Sequence, residues 1–200
     1  MYNDFVIQQD ENDGIGDRHM IIKYNMADRQ YYIRDLGKGS GTFVRLDVPL
    51  TLKNGFIISF GTSHLTVNFF QGESRRRGGG GDLDYQRQGG SGSGTSDRIQ
   101  LKFIDGPKLD QVFTFKSSEK IQIGRMPTCN IKFEDNQLSR LQCTIEYIDG
   151  NWVLKDGDGL KSSTNGTWLF VDELFKIYDG MVFKAGQTLF RTRKLKPGSI

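Results

Sequence analysis

The sequence predicts an all-β chain: an antiparallel β-sandwich accompanied by a second, incomplete copy of the same unit. Three observations carry this. Short runs alternate apolar and polar residues at period two, the gaps between them hold Asp-Gly, Asn-Gly or Pro, and no segment sustains a helical period. The composition agrees, with 12% aromatic residues, 25 glycines and 4 prolines in 200 residues, since aromatics favour strands and glycine serves reverse turns.

In the second half the expected strands are Ile99–Phe103, Gln111–Phe115, Lys120–Gly124, Asn130–Phe133, Cys143–Tyr147, Trp152–Asp156, Thr167–Phe170, Met181–Phe183 and Thr188–Thr192. Many short strands at such spacing pack as two antiparallel sheets. The first 70 residues repeat the pattern. Gly41-Thr42 matches Gly166-Thr167, Asn54-Gly55 matches Asp179-Gly180 and Gly61 matches Gly186, all 125 positions apart. The first copy has no counterpart to the strands between Ile99 and Gly124.

Between the copies, residues 71–96 lose the apolar pattern and read as a flexible Gly/Arg/Ser-rich linker. The expected organisation is therefore a partial copy at 1–70, the linker at 71–96, a full unit at 97–195 and a tail at 196–200. The formal charge is +3, and the C-terminal basic residues Arg191, Arg193, Lys194 and Lys196 account for the excess, so overall charge makes no general case for nucleic acid. No apolar run reaches the roughly 18 residues of a membrane span. The expectation is an intracellular protein, cytoplasmic or nuclear, with no membrane partner.

Cys129 and Cys143 are expected to be reduced core thiols, and His19 and His64 to serve packing, because no Cys or His cluster has metal spacing. Neither a metal nor a cofactor is expected. No nucleophile–base pair accompanies the polar turns, which argues against an enzyme.

Loops at one end of a sandwich lie near each other in space. Arg125 follows one strand, Ser139 and Arg140 sit on a second turn, and Ser163, Thr164 and Asn165 precede Thr167 on a third. Two guanidinium groups, hydroxyls and an amide are the donors that a phosphate monoester needs, with its charge of about −1.5 to −2 and three acceptor oxygens. Without a base or metal set, such a site holds the ester and does not cleave it.

The turns Gly124-Arg125, Ser139-Arg140 and Thr164-Asn165-Gly166-Thr167 resemble the signature turns of forkhead-associated (FHA) domains, over essentially all of Ile99 to Arg193. The resemblance implies an eleven-stranded sandwich that binds phosphothreonine peptides without catalysis. It assigns Arg125 and Ser139 to the phosphate, Arg140 to added charge, Asn165 to the peptide backbone and Thr164 to the threonine methyl. Gly124, Gln142, Gly166 and Thr167 fall to structural support. Burying that methyl is worth up to roughly 0.8 kcal/mol, which favours phosphothreonine over phosphoserine. One departure stands out: the family usually has His where this chain has Gln142, whose amide can also donate and accept.

In the first copy Gly16 falls at the serine position, Asp17 at the arginine position, His19 at the Gln142 position and Ser40 at the Asn165 position. The phosphate ligands are gone, so this copy is expected to serve assembly, including self-association, through strand edges left unpaired. The alternative function is nucleic-acid binding, or a phosphorylation-independent scaffold, using the basic linker and tail.

Overall fold

The computed structural model describes residues 3–7, 14–70 and 98–195. The linker and the 196–200 tail lie outside the described residues. Among the described residues there are sixteen strands and no helix, so the fold is all-β.

The first copy supplies β1 (Met20–Asn25), β2 (Gln30–Asp35), β3 (Thr42–Arg45), β4 (Leu50–Thr51), β5 (Ile57–Phe60) and β6 (Ser63–Phe70). The second supplies β7 (Arg98–Asp105), β8 (Val112–Lys116), β9 (Ile121–Gly124), β10 (Ile131–Lys132), β11 (Cys143–Ile148) and β12 (Asn151–Asp156). It continues with β13 (Trp168–Phe170), β14 (Phe175–Lys176), β15 (Val182–Ala185) and β16 (Thr188–Arg191). All nine strands expected in this half are present, Asn130–Phe133 shortened to β10; β14 was not expected from the sequence.

The two copies do not form separate sheets. One sheet runs β16-β15-β3-β13-β5-β6-β7-β8, a second β10-β9-β11-β12-β4 and a third β1-β2-β14. At the centre of the long sheet β3 pairs β13, with Val44 opposite its repeat equivalent Leu169. On either side β5 pairs β13 with Leu169↔Ile58, and β15 pairs β3 with Phe183↔Val44. These registers are equivalent under the 125-residue repeat. Likewise β4 joins β12 and β14 joins β2. The copies therefore exchange their C-terminal strands about a pseudo-two-fold axis: the sequence repeat and the sheets divide the chain differently.

The exchange builds two unequal sandwiches. The larger core takes Leu46, Leu52, Ile58, Phe60, Leu65 and Val67 from the first copy and packs them with Ile99, Leu101, Phe103, Ile121, Ile123 and Ile145 from the second. Edge-to-face contacts of Phe60 and Phe103 with Phe133 lock the two contributions together. The smaller core is Ile33, Val44, Val171, Met181 and Phe183. Phe183 stacks on Phe190 at 4.8 Å.

Candidate functional site

Gly124 ends β9 and delivers Arg125. A Cβ at Gly124 would fall on the Arg140 carbonyl oxygen, so only glycine lets the two turns close. Backbone bonds then zip them: Arg125 N donates to Ser139 O (3.2 Å), Met126 N to Arg140 O (2.9 Å) and Gln142 N to Ile123 O (2.7 Å). The Arg125 guanidinium donates from Nε to Leu138 O at 2.6 Å and from Nη1 to Asn136 Oδ1 at 3.4 Å. That fixes the side chain along the loop.

The third turn docks onto the second. Thr164 N donates to Ser139 Oγ (2.8 Å), and Ser139 Oγ donates to Thr164 Oγ1 (3.2 Å). Asn165 Nδ2 donates to Gln137 O at 2.8 Å, tying two loops together, while Trp168 Nε1 donates to Asn165 O. Gly166 has φ +78, a conformation that favours glycine, and packs against Arg45 of the first copy.

Beneath the surface lies a closed polar network. Gln142 is fully buried; its Oε1 accepts from Ser139 N (3.1 Å) and its Nε2 donates to Ser163 Oγ (2.9 Å) and Gly166 O (3.0 Å). Buried Asp156 accepts from Ser163 N, Ser163 Oγ (2.6 Å) and Thr167 Oγ1 (2.7 Å). Ser163, expected among the peptide contacts, is thus buried in this network and turned away from the surface, because the Asp156 carboxylate needs its donors. Thr167 and Gln142 share the supporting role.

Above the network is a cavity of about 570 Å³ lined by Arg125, Ser139, Arg140, Thr164 and Asn165 among others. The three expected turns are brought together there. Met126, Asn136, Gln137, Asp158, Lys161 and Ser162 also line it and were not singled out from the sequence. Asp158 caps its own loop: N–H donors from Lys161 and Leu160 hold its carboxyl below the usual range. An Asp three residues before Lys161 is a readable turn signal for that loop, though not for a site. The lining carries three cations against one carboxylate, which suits an anion.

The first copy keeps the hydrogen-bonded frame of this site, with Gly16 and Asp17 where the second has Ser139 and Arg140. Gly16 N donates to His19 Nδ1 (3.1 Å) and His19 Nε2 donates to Gly41 O (3.1 Å), matching the bonds Gln142 makes to Ser139 N and Gly166 O. Asp35 accepts from Thr42 Oγ1 at 2.8 Å as Asp156 does from Thr167.

Cys129 and Cys143 are free and buried, and burial pushes both thiols up. Among the described residues no three His, Cys, Asp or Glu side chains are grouped to hold a metal, and no helix is long and apolar enough to cross a membrane.

A β-sandwich with three donor-bearing turns at one end defines a class of binding domain. The sequence model of the FHA domain matches residues 2–61 and 121–186. The chain belongs to the FHA-domain family, and FHA domains are phosphopeptide-binding interaction modules. No curated protein matches the chain, and no solved structure does.

Proposed function

We propose that the larger sandwich reads phosphothreonine on a partner protein, coupling a kinase signal to assembly. The observation that carries this is the convergence of Arg125, Ser139, Arg140, Thr164 and Asn165 on one cation-rich cavity. In this reading Arg125 and Ser139 contact the phosphate, Arg140 adds charge, Asn165 holds the peptide backbone and Thr164 lines the methyl position. Arg125 is already tied to Leu138 O and so loses little freedom on binding. The first copy binds no phosphate, because Gly16 offers no hydroxyl and Asp17 is repulsive; its part is assembly.

The test is titration of the full chain with one peptide in phosphothreonine, phosphoserine and unphosphorylated forms, repeated with Arg125→Ala and Ser139→Ala. Expected are preference for phosphothreonine and a loss of at least about tenfold in either variant. Equal affinity for the unphosphorylated peptide, or unchanged binding in variants that melt like the parent, would overturn the reading.

A further inference from the structure

The repeat provides an internal standard for what each sandwich surface needs. β1 and β11 are equivalent, both beginning opposite an Asp, Met20↔Asp35 and Cys143↔Asp156. In β11 Ile145 is 1% exposed, while its equivalent Ile22 is 48% exposed. Trp152 on β12 is 2% exposed, and its equivalent Tyr31 on β2 is 55% exposed. Even the ring pair is kept: Tyr147 on Trp152 at 5.1 Å and Tyr24 on Tyr31 at 4.8 Å. The same apolar chemistry is buried in one sandwich and open to solvent in the other.

What covers the larger sandwich is known. β7 lies antiparallel on β6, with Leu65↔Phe103, Thr66↔Lys102, Val67↔Leu101 and Asn68↔Gln100, and β9 flanks β11 with Ile145↔Ile121; Ile99, Leu101 and Phe103 share one core with Ile145 and Trp152. The equivalent of β6 is β16, and among the described residues it pairs only β15 and ends the long sheet. Leu189 on it is 63% exposed.

The charge on this edge differs from that of β6. Arg191 and Arg193 stand at the positions of Thr66 and Asn68, and Lys194 follows. A copy of β7 would set Lys102 against Arg191, a like-charge cross-strand pair. A second copy of this chain offers the same basic edge. The complementary occupant is a strand that keeps the apolar alternation of β7 and carries acidic residues on its other face.

We propose that the open side of the smaller sandwich is a strand-accepting site for another protein, whose extended segment pairs antiparallel with β16, sets Asp or Glu opposite Arg191 and Arg193, and covers Phe190, Ile22 and Tyr31. Backbone pairing supplies affinity and the alternate side chains supply selectivity. This site is independent of the phosphate cavity.

The probe is a synthetic peptide of residues 98–116 carrying Gln100→Glu and Lys102→Glu, compared with the unaltered peptide, by fluorescence anisotropy and amide exchange on the full chain. The acidic peptide should bind about tenfold tighter than the unaltered one and protect amides of residues 186–195. Arg191→Glu with Arg193→Glu should reverse the preference, and Arg125→Ala should leave it unchanged. Equal affinities, no binding, or protection confined to residues 57–70 would overturn the proposal. So would a concentration-dependent dimer mass with residues 186–195 already protected in the absence of peptide, which would assign the edge to a second copy.

Discussion

Leu138 accepts the Nε–H of Arg125 through its carbonyl at 2.6 Å, while its side chain packs on the turn between β5 and β6. A Cβ at Gly61 would meet Leu138 Cδ2 at 2.9 Å, so a glycine of the first copy supports the loop that orients the candidate phosphate ligand of the second. Gly61→Val should therefore act at a distance. It strains a φ of +55 and crowds Leu138, for an expected cost of about 1–3 kcal/mol. Phosphopeptide affinity should fall further than that of a variant destabilised equally elsewhere, measured by thermal melts beside anisotropy.

Gln142→Ala leaves Ser139 N and Gly166 O without their side-chain partner and removes a bond to Ser163 Oγ. Unsatisfied buried groups cost about 1–3 kcal/mol each, so a total of about 2–4 kcal/mol is expected in denaturant unfolding. Gln142→His should lose less, because His19 makes the two equivalent bonds in the first copy.

The strand exchange is open to a direct chemical check. Thr51 pairs Val153 across the copies. In a chain without exchange, Lys176 of β14, the repeat equivalent of Thr51, would take that place on β12. Oxidation of Thr51→Cys with Val153→Cys should link residues 51 and 153 within a monomer, detected by peptide mapping. Lys176→Cys with Val153→Cys should not cross-link.

Tyr178 of the second copy donates to Asp47 of the first at 3.1 Å, and burial, then the Asp47 charge, pushes its hydroxyl up to about 12 from the ordinary 10. The unfolded chain ionises first as pH rises. The contribution is thus complete below pH 10 and is lost progressively up to about pH 12. Stability of the parent should fall more across that window than that of Tyr178→Phe, which at neutral pH should cost under about 1 kcal/mol because the bond is partly exposed.

Much of the fold was legible in the strands themselves. Ile99–Phe103 and Cys143–Tyr147 alternate cleanly, and Asp149-Gly150 and Asn54-Gly55 mark turns, since period and turn chemistry are local properties. The convergence of three turns on one cavity was legible too, as Arg125, Ser139 and Thr164 occupy short connections that a sandwich gathers at one end. The inward turn of Ser163 was not, because it depends on Asp156 being buried with donors to find. Lys161 and Asp158 gave no sign of lining the cavity, since lining is a matter of loop path.

Alternation, turn motifs and the repeat were enough to show two copies of one β-unit, and that only the second has the Arg and Ser of the candidate anion site. Tertiary structure alone decided that β4, β5 and β6 complete the second copy's sandwich while β14, β15 and β16 join the first. Alternation specifies the face a strand presents and not the neighbour it pairs. Because β5 and β15 offer equivalent faces and registers, only the assembled sheets distinguish one pairing from the other.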